Sequence, residues 1–239
     1  MSWREKIMMR KSRILIVDDD IAVVKSVRAN LQARDCETLT AMDGIEALQV
    51  IEKELPDLII LDITMPKMNG FEVCRKVREW SRVPIIMLSA KHDVEEKVKC
   101  LNIGADDYIT KPFGVNELAA RVRAVLRRAQ GSEEEQTTPN FICGDLKINF
   151  VERRVTVGDR NVKLTPTEYN LLQELVLGAG KVFPHSSLLG RVWGPEYVNE
   201  REYLHVFVGR LRKELEADPT HPKYIVTIPG VGYKFQAPS

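Results

Sequence analysis

The chain has 239 residues, 44% of them hydrophobic and 29% charged, with 35 Lys and Arg against 34 Asp and Glu. That length holds one large domain or two ordinary ones, and the composition excludes a disordered or collagen-like chain. A net charge of +1 names no partner, and no apolar run approaches the ~20 residues of a membrane helix, so no membrane partner is expected.

The first residues, MSWREKIMMRKSR, are charged and hold no apolar signal core, so a cytoplasmic protein is expected. Residues 14–17, 58–61 and 84–88 are short continuous apolar runs. Such runs suit parallel strands buried on both faces. Residues 36–40 and 106–109 read as weaker strands. Amphipathic stretches lie between them, with Ile45, Leu48 and Ile51 on one stripe and Val73, Val77 and Trp80 on another. Five βα units predict a doubly wound α/β domain. Cys36, Cys74, Cys100 and Cys143 have no CxxC spacing, so reduced core thiols are expected rather than disulfides or zinc.

The chemistry of this half sits where strands stop. Asp18, Asp19 and Asp20 follow ILIV, Asp62 follows LIIL, Ser89 follows IIML, and Lys111 follows DDYIT. In an open parallel sheet the carboxyl ends of the strands share one edge, which is the ligand crevice. A single Asp there is an ordinary solvated strand end. Several together repel one another unless a cation intervenes. An oxygen-rich set without Cys or His suits Mg²⁺, and an added lysine and hydroxyl suit a phosphoryl group.

Residues 131–140, GSEEEQTTPN, contain no large apolar side chain and cannot bury enough surface to offset ordering entropy. They predict a linker over 130–140, between domains at 12–129 and 141–238. The second half reads as β-like pieces at 141–150, 153–157 and 160–164. Helices follow at 166–177, 186–191 and 199–216, then a hairpin over 224–235. Sheet, three helices and a closing hairpin predict a winged helix-turn-helix of the α+β class. On the 199–216 helix, Tyr203, Leu204, Phe207, Val208, Leu211 and Leu215 share one arc. Arg201, Glu202, His205, Gly209, Arg210, Arg212 and Lys213 share the other, as a recognition helix requires.

ILIVDDD, DLIILDITMPKMNG, VPIIMLSA and GADDYITKPF together resemble the receiver domain of bacterial response regulators, which has the flavodoxin-like (βα)5 fold. The resemblance implies Asp62 as phosphoacceptor and a sensor histidine kinase as donor. It implies Asp19, Asp62 and the backbone carbonyl of Thr64 as Mg²⁺ ligands, with Asp18 assisting. Lys111 would hold the phosphoryl oxygens, and Ser89 and Tyr108 would form the switch. A cis bond before Pro112 would aim Lys111 inward. LTPTEYNLL, LLGRVWG, GRLRKELE and TIPGVGYKF resemble the winged-helix domain of the OmpR/PhoB type.

That resemblance implies a homodimer on phosphorylation, through cross-subunit pairs Lys97–Glu117, Asp107–Arg121 and Asp106–Arg128. It implies double-stranded DNA, as tandem or paired half-sites, with His205 and Arg210 as candidates for base contacts. Arg201, Arg212 and Lys213 would touch phosphates, while Thr227 and Tyr233 belong to the wing. Residues 189–200, with Trp193 exposed or half-buried, would meet RNA polymerase. YLHVFVGRLRKELEADPTHPKY further resembles regulators of potassium-transport operons. The function implied is a phosphorylation-controlled transcription factor that is not an enzyme. The alternatives are a Mg-dependent aspartyl-phosphate enzyme and a phosphorylation-independent DNA-binding protein.

Overall fold

Five strands of the first half line up in parallel in the computed structural model, which describes residues 11–130 and 140–236. They are β1 (Arg13–Val17), β2 (Glu37–Ala41), β3 (Leu58–Asp62), β4 (Ile85–Ser89) and β5 (Asp107–Thr110), in the order β2-β1-β3-β4-β5. Most of the predicted linker lies outside the described residues, as do the first ten residues. The described residues divide into two compact units at Leu126 and Arg127.

Alternation along the strands divides the core of the first unit. Leu15, Val17, Ile59, Leu61, Ile85 and Met87 point to one face. Ile14, Ile16, Leu58, Ile60, Ile86 and Leu88 point to the other. Both faces are covered by helices: α1 (Ile21–Gln32), α2 (Gly44–Glu54), α3 (Gly70–Trp80), α4 (Val94–Ile103) and α5 (Val115–Gln130). Polar caps start four of them. Asp20 accepts from Ala22 N, Asp43 from Ile45 N and Glu46 N, and Asp93 from Glu96 N, while Asn69 and Glu72 form a capping box. Such caps each contribute about 1 kcal/mol.

The chain leaves β1 toward β2 and returns past it to β3, so the strand order reverses between β1 and β3. Asp18 and Asp62 stand at the carboxyl ends of these two strands, at the switch point of the sheet. The turn from β3 into α3 is closed by Gly70, whose N–H donates to the Ile63 carbonyl at 2.9 Å. A Cβ at Gly70 would lie 2.2 Å from the Asp62 carbonyl oxygen, so only glycine lets the helix start this close to the site.

The second unit begins with an antiparallel sheet ordered β6-β7-β8-β9: β6 (Asn140–Cys143), β7 (Leu146–Asn149), β8 (Arg154–Val157) and β9 (Arg160–Val162). The single β piece expected at 141–150 is two strands, because Gly144 takes a left-handed turn (φ 57°) between them. Three helices follow: α6 (Pro166–Leu177), α7 (His185–Val192) and α8 (Arg201–Leu215). β10 (Val182–Pro184), β11 (Ile225–Ile228) and β12 (Gly232–Phe235) form a second sheet in the order β10-β12-β11.

Trp193 corrects an expectation. It is fully buried, with its ring 5.1 Å from Phe207 and 6.2 Å from Tyr203, both edge-on. An indole carries the largest apolar area of any side chain, and the inner arc of α8 offers the aromatic partners to cover it. All four cysteines are free. Burial pushes the Cys100 thiol up to about 12, which leaves it an inert core group. Among the described residues no helix is long and apolar enough to cross a membrane.

Candidate functional site

Asp18, Asp19 and Asp62 converge at the carboxyl edge of the first sheet, with one carboxylate oxygen of each inside 4.8 Å of the others. Asp18 and Asp62 are buried and Asp19 is exposed. Lys111 Nζ lies 2.6 Å from Asp18 Oδ2 and 2.5 Å from Asp62 Oδ1. One ammonium thus neutralises two buried carboxylates. The Thr64 N–H donates to Asp62 Oδ2 at 2.8 Å. The Asp20 N–H donates to Asp18 Oδ1 at 3.0 Å, while the Asp20 side chain faces solvent as the cap of α1. The Lys111–Pro112 bond is cis.

Electrostatics here are opposed. Burial holds the Asp62 carboxyl above the ordinary range, against the pull of Lys111, and the charge on Asp18 adds to the rise. Burial lowers Lys111, but its bonds to Asp18 and Asp62 outweigh that and raise it. Any reaction that needs the Asp62 anion is therefore expected to fade, as pH falls, above the pH at which an unperturbed carboxylate (about 3.9) would protonate.

The donor set fits a small hard cation. It offers oxygen ligands only, two carboxylates held by the fold and a third open to water. Mg²⁺ prefers few carboxylates and retained waters.

Ser89 and Tyr108 form a second cluster, at the ends of β4 and within β5. Ser89 Oγ donates to the Glu96 carboxylate and accepts from Lys91 N at 3.0 Å. Lys91 Nζ pairs with the same carboxylate at 3.3 Å. The Tyr108 hydroxyl donates to the Lys91 carbonyl, and the ring is buried. The Ser89 hydroxyl is therefore held by Glu96. Nothing in a spacing of seven residues across a loop and a helix start announces this contact.

The charged face expected on α4, β5 and α5 is only partly a face. Asp106 is completely buried, and its Oδ2 lies 2.9 Å from Arg78 Nη2 and accepts from Ile85 N at 3.1 Å. A buried carboxylate needs a counter-charge and donors, and Arg78 with the β4 amide supplies them. The expected Asp106–Arg128 pair is corrected accordingly. Arg128 is also buried and falls in the second unit. Asp107, expected to reach across a dimer, is paired inside the chain with Arg121 at 3.1 Å, and Arg121 also holds Glu117 at 3.2 Å. Lys97 is half-buried on α4.

In the second unit, Arg201, His205 and Lys213 lie exposed along α8. Arg210 does not join them. Its Nε lies 2.6 Å from Glu168 Oε1, and both side chains are nearly buried. Glu168 is held inside by its capping box with Thr165, so the guanidinium turns inward to neutralise it. Arg212 is also engaged. Its Nη2 donates to the Ile225 carbonyl at 2.7 Å and to Thr227 Oγ1 at 2.8 Å, bracing the hairpin. Thr227 is exposed, while Tyr233 is buried with its hydroxyl 2.8 Å from His205 Nδ1. Gly209 is half-buried in mid-helix, and an added Cβ there would meet nothing within 4 Å. Packing does not require the glycine.

Comparison with known proteins agrees with both halves. The model of the response regulator receiver domain matches residues 14–123, and that of the C-terminal domain of transcriptional regulatory proteins matches residues 159–235. The transcriptional regulatory protein KdpE of Mycobacterium tuberculosis is 39% identical over 224 residues, covering 94% of this chain and 99% of its own. A probable transcriptional regulator, ycf27, of Pyropia yezoensis is 43% identical over 232 residues, covering 95% and 96%. Among solved structures, a RitR mutant superposes with a TM-score of 0.77 at 27% identity, covering 95% of this chain and 99% of its own. The Thermotoga maritima OmpR/PhoB homologue DrrB gives 0.51 at 33% identity, covering 95% and 100%.

Proposed function

Since the chain belongs to the two-component response regulators, with a receiver and an OmpR/PhoB-type DNA-binding domain, we propose that phosphorylation of Asp62 by a sensor histidine kinase controls its dimerisation and DNA binding. The observation that carries this is the Asp18–Lys111–Asp62 arrangement at the switch point of a sheet joined to a winged helix.

In the reaction an Asp62 oxygen bonds to phosphorus as the P–N bond of the kinase phosphohistidine breaks, and the imidazole keeps the electron pair. Asp18, Asp19, Asp62 and the Thr64 carbonyl would hold Mg²⁺, which supplies charge neutralisation for the phosphoryl oxygens. Lys111 is placed to move from the carboxylate to those oxygens. The Thr64 N–H orients the acceptor. Ser89 reaches a phosphoryl oxygen only by leaving Glu96, so phosphate competes directly with the Ser89–Glu96 bond. That local exchange is the two-state element from which Tyr108 and the β4–α4 loop would pass the signal. The protein is acceptor and product at once, and we assign it no turnover on a separate substrate.

Dimerisation through α4, β5 and α5 would use Lys97, Glu117 and Arg121, and paired half-sites would then raise effective concentration. Arg201, His205 and Lys213 are the DNA contacts favoured on α8, with Thr227 on the wing. The segment 189–200 is proposed to meet RNA polymerase. Control of potassium transport is proposed from the KdpE likeness, with the cytoplasm as the place of action.

Gly209 yields a prediction under this reading. Gly209→Ala is expected to stabilise the protein by about 0.5–1 kcal/mol, since helical glycine is that unfavourable and the space is open. DNA affinity should drop several-fold if the polar arc enters the groove, because the methyl group would then add bulk facing the nucleic acid. Melting midpoint and anisotropy titration check the two effects.

The function is tested by sedimentation and DNA binding with Mg²⁺, with and without beryllium fluoride. Dimerisation and tighter binding on addition of the mimic support it. Tight DNA binding indifferent to the mimic would leave a constitutive DNA-binding protein.

A further inference from the structure

Two imidazoles share one phenol beside the exposed arc of α8. His205 Nδ1 lies 2.8 Å from the Tyr233 hydroxyl. The His185 ring stands 5.7 Å from the His205 ring and 5.6 Å, edge-on, from the Tyr233 ring. The three residues come from the start of α7, the middle of α8 and β12. The phenol is well anchored. It is buried, and the Arg212 guanidinium sits over its ring at 5.8 Å while bonding to Ile225 and Thr227 on the neighbouring strand. Burial also raises the Tyr233 pKa, so the hydroxyl stays a neutral donor. When that hydroxyl donates to Nδ1 of neutral His205, the ring proton sits on Nε2, on the side away from the phenol.

The groups that shift His185 are His205 and Arg201 from α8 and the Val231 carbonyl from the turn between β11 and β12. Burial first, then the electrostatic influence of His205 and Arg201, hold the His185 imidazole below its ordinary range, with the Val231 carbonyl opposing. Free protein therefore carries this ring uncharged at neutral pH. The adjoining Arg201 and His205 are exposed. An anion arriving at this face would reverse the balance at His185 and favour its protonated form.

We propose that His185 and His205, packed together against Tyr233, make a proton-coupled contact to the phosphodiester backbone of DNA, so that binding takes up a proton and tightens as pH falls. The inference rests on the DNA-binding reading of the second domain, and it adds His185 to that surface. A phosphate beside His185 would raise its pKa in the complex. Affinity then climbs as pH drops below the pKa of the bound state, and levels off below the pKa of the free state. Phosphate contacts are sequence-independent, so the effect should hold for any duplex that binds.

The chain has four histidines, which makes the test clean. His221 is exposed and paired with Asp218, and serves as a control. Full-length protein is titrated onto a duplex selected from a random-sequence pool, at constant ionic strength, over about pH 5.5 to 8.5. Wild type is expected to bind about tenfold tighter at the acid end, one proton accounting for up to tenfold per pH unit. His185→Gln and His205→Gln should each flatten the profile, and His221→Gln should leave it unchanged. His205→Arg, permanently charged, should bind tightly at alkaline pH with a reduced slope. Calorimetry of wild type in two buffers of different ionisation enthalpy should report proton uptake, independent of any variant. Tight wild-type binding without pH dependence or proton uptake overturns the inference, as does a slope that survives in both glutamine variants. Failure to bind DNA at every pH would instead overturn the DNA-binding reading itself, so the two failures are distinguishable.

Discussion

Asp62→Ala is expected to take up no phosphate from acetyl phosphate in the presence of Mg²⁺, where the wild type gains one phosphoryl group. Removing the nucleophile from a site that otherwise only positions and neutralises should slow transfer by at least ~1000-fold. Intact mass gives the answer directly. Phosphate on the variant would point to the exposed Asp19 as acceptor and overturn the assignment of Asp62. Mimic-dependent dimerisation and DNA binding should vanish with the acceptor.

The same carboxylate should be unfavourable for folding, and its linkage has the opposite sign to a normally paired aspartate. Its raised pKa in the folded state means the protonated form is favoured there. Its contribution to stability is present below the unfolded pKa and is lost as pH rises through the folded one. At neutral pH Asp62→Asn, which removes the buried charge and keeps the shape, should therefore raise the melting midpoint. Lys111 retains Asp18 as partner in that variant.

Arg78→Ala is expected to destabilise the receiver domain by about 3–5 kcal/mol, the usual loss when one partner of a buried ion pair is removed. That is a large fraction of the 5–15 kcal/mol (roughly) that holds a domain together. Arg78 does more than neutralise Asp106. Its Nε donates to the Gly104 carbonyl at 2.9 Å and its Nη1 to the Val83 carbonyl at 2.7 Å. One guanidinium thus ties the end of α3 to the approach to β4 and to the loop before β5. The other Asp106 oxygen has no hydrogen-bond partner among the described residues, so no second group waits to replace Arg78. Arg78→Lys should recover only part of the loss, because an ammonium cannot present a planar fork to acceptors on three sides. Urea titration of each variant measures both effects. A loss below about 1 kcal/mol would mean that Asp106 is solvated in solution, since exposed pairs contribute no more than that.

The parallel sheet was readable from the apolar runs. Continuous apolar runs at 14–17, 58–61 and 84–88 have no reading as half-solvated strands, so parallel strands under helices on both faces followed. Asp18, Asp62 and Lys111 were legible as a cluster for the same reason, because strand ends in such a sheet must meet at one edge. The buried arc of α8 was legible because helical period alone sorts Tyr203, Leu204, Phe207 and Leu211 from the rest.

Where each charge goes within reach of its backbone position was not readable before the chain folded. Asp106 and Asp107 are adjacent acids in sequence, yet both turn inward, one to Arg78 and the other to Arg121. Arg210 sits on the polar arc of its wheel, yet Glu168, 42 positions earlier in the chain, draws it into the core. Trp193 read as a loop residue until three aromatic rings of the second unit closed over one another. Long side chains span 6 Å or so from their own backbone, roughly a helical turn, so periodicity fixes the direction of the Cβ but not the partner at the tip. Partners are chosen by desolvation, since an interior carboxylate must find a cation, and that choice exists only once distant segments have been brought together.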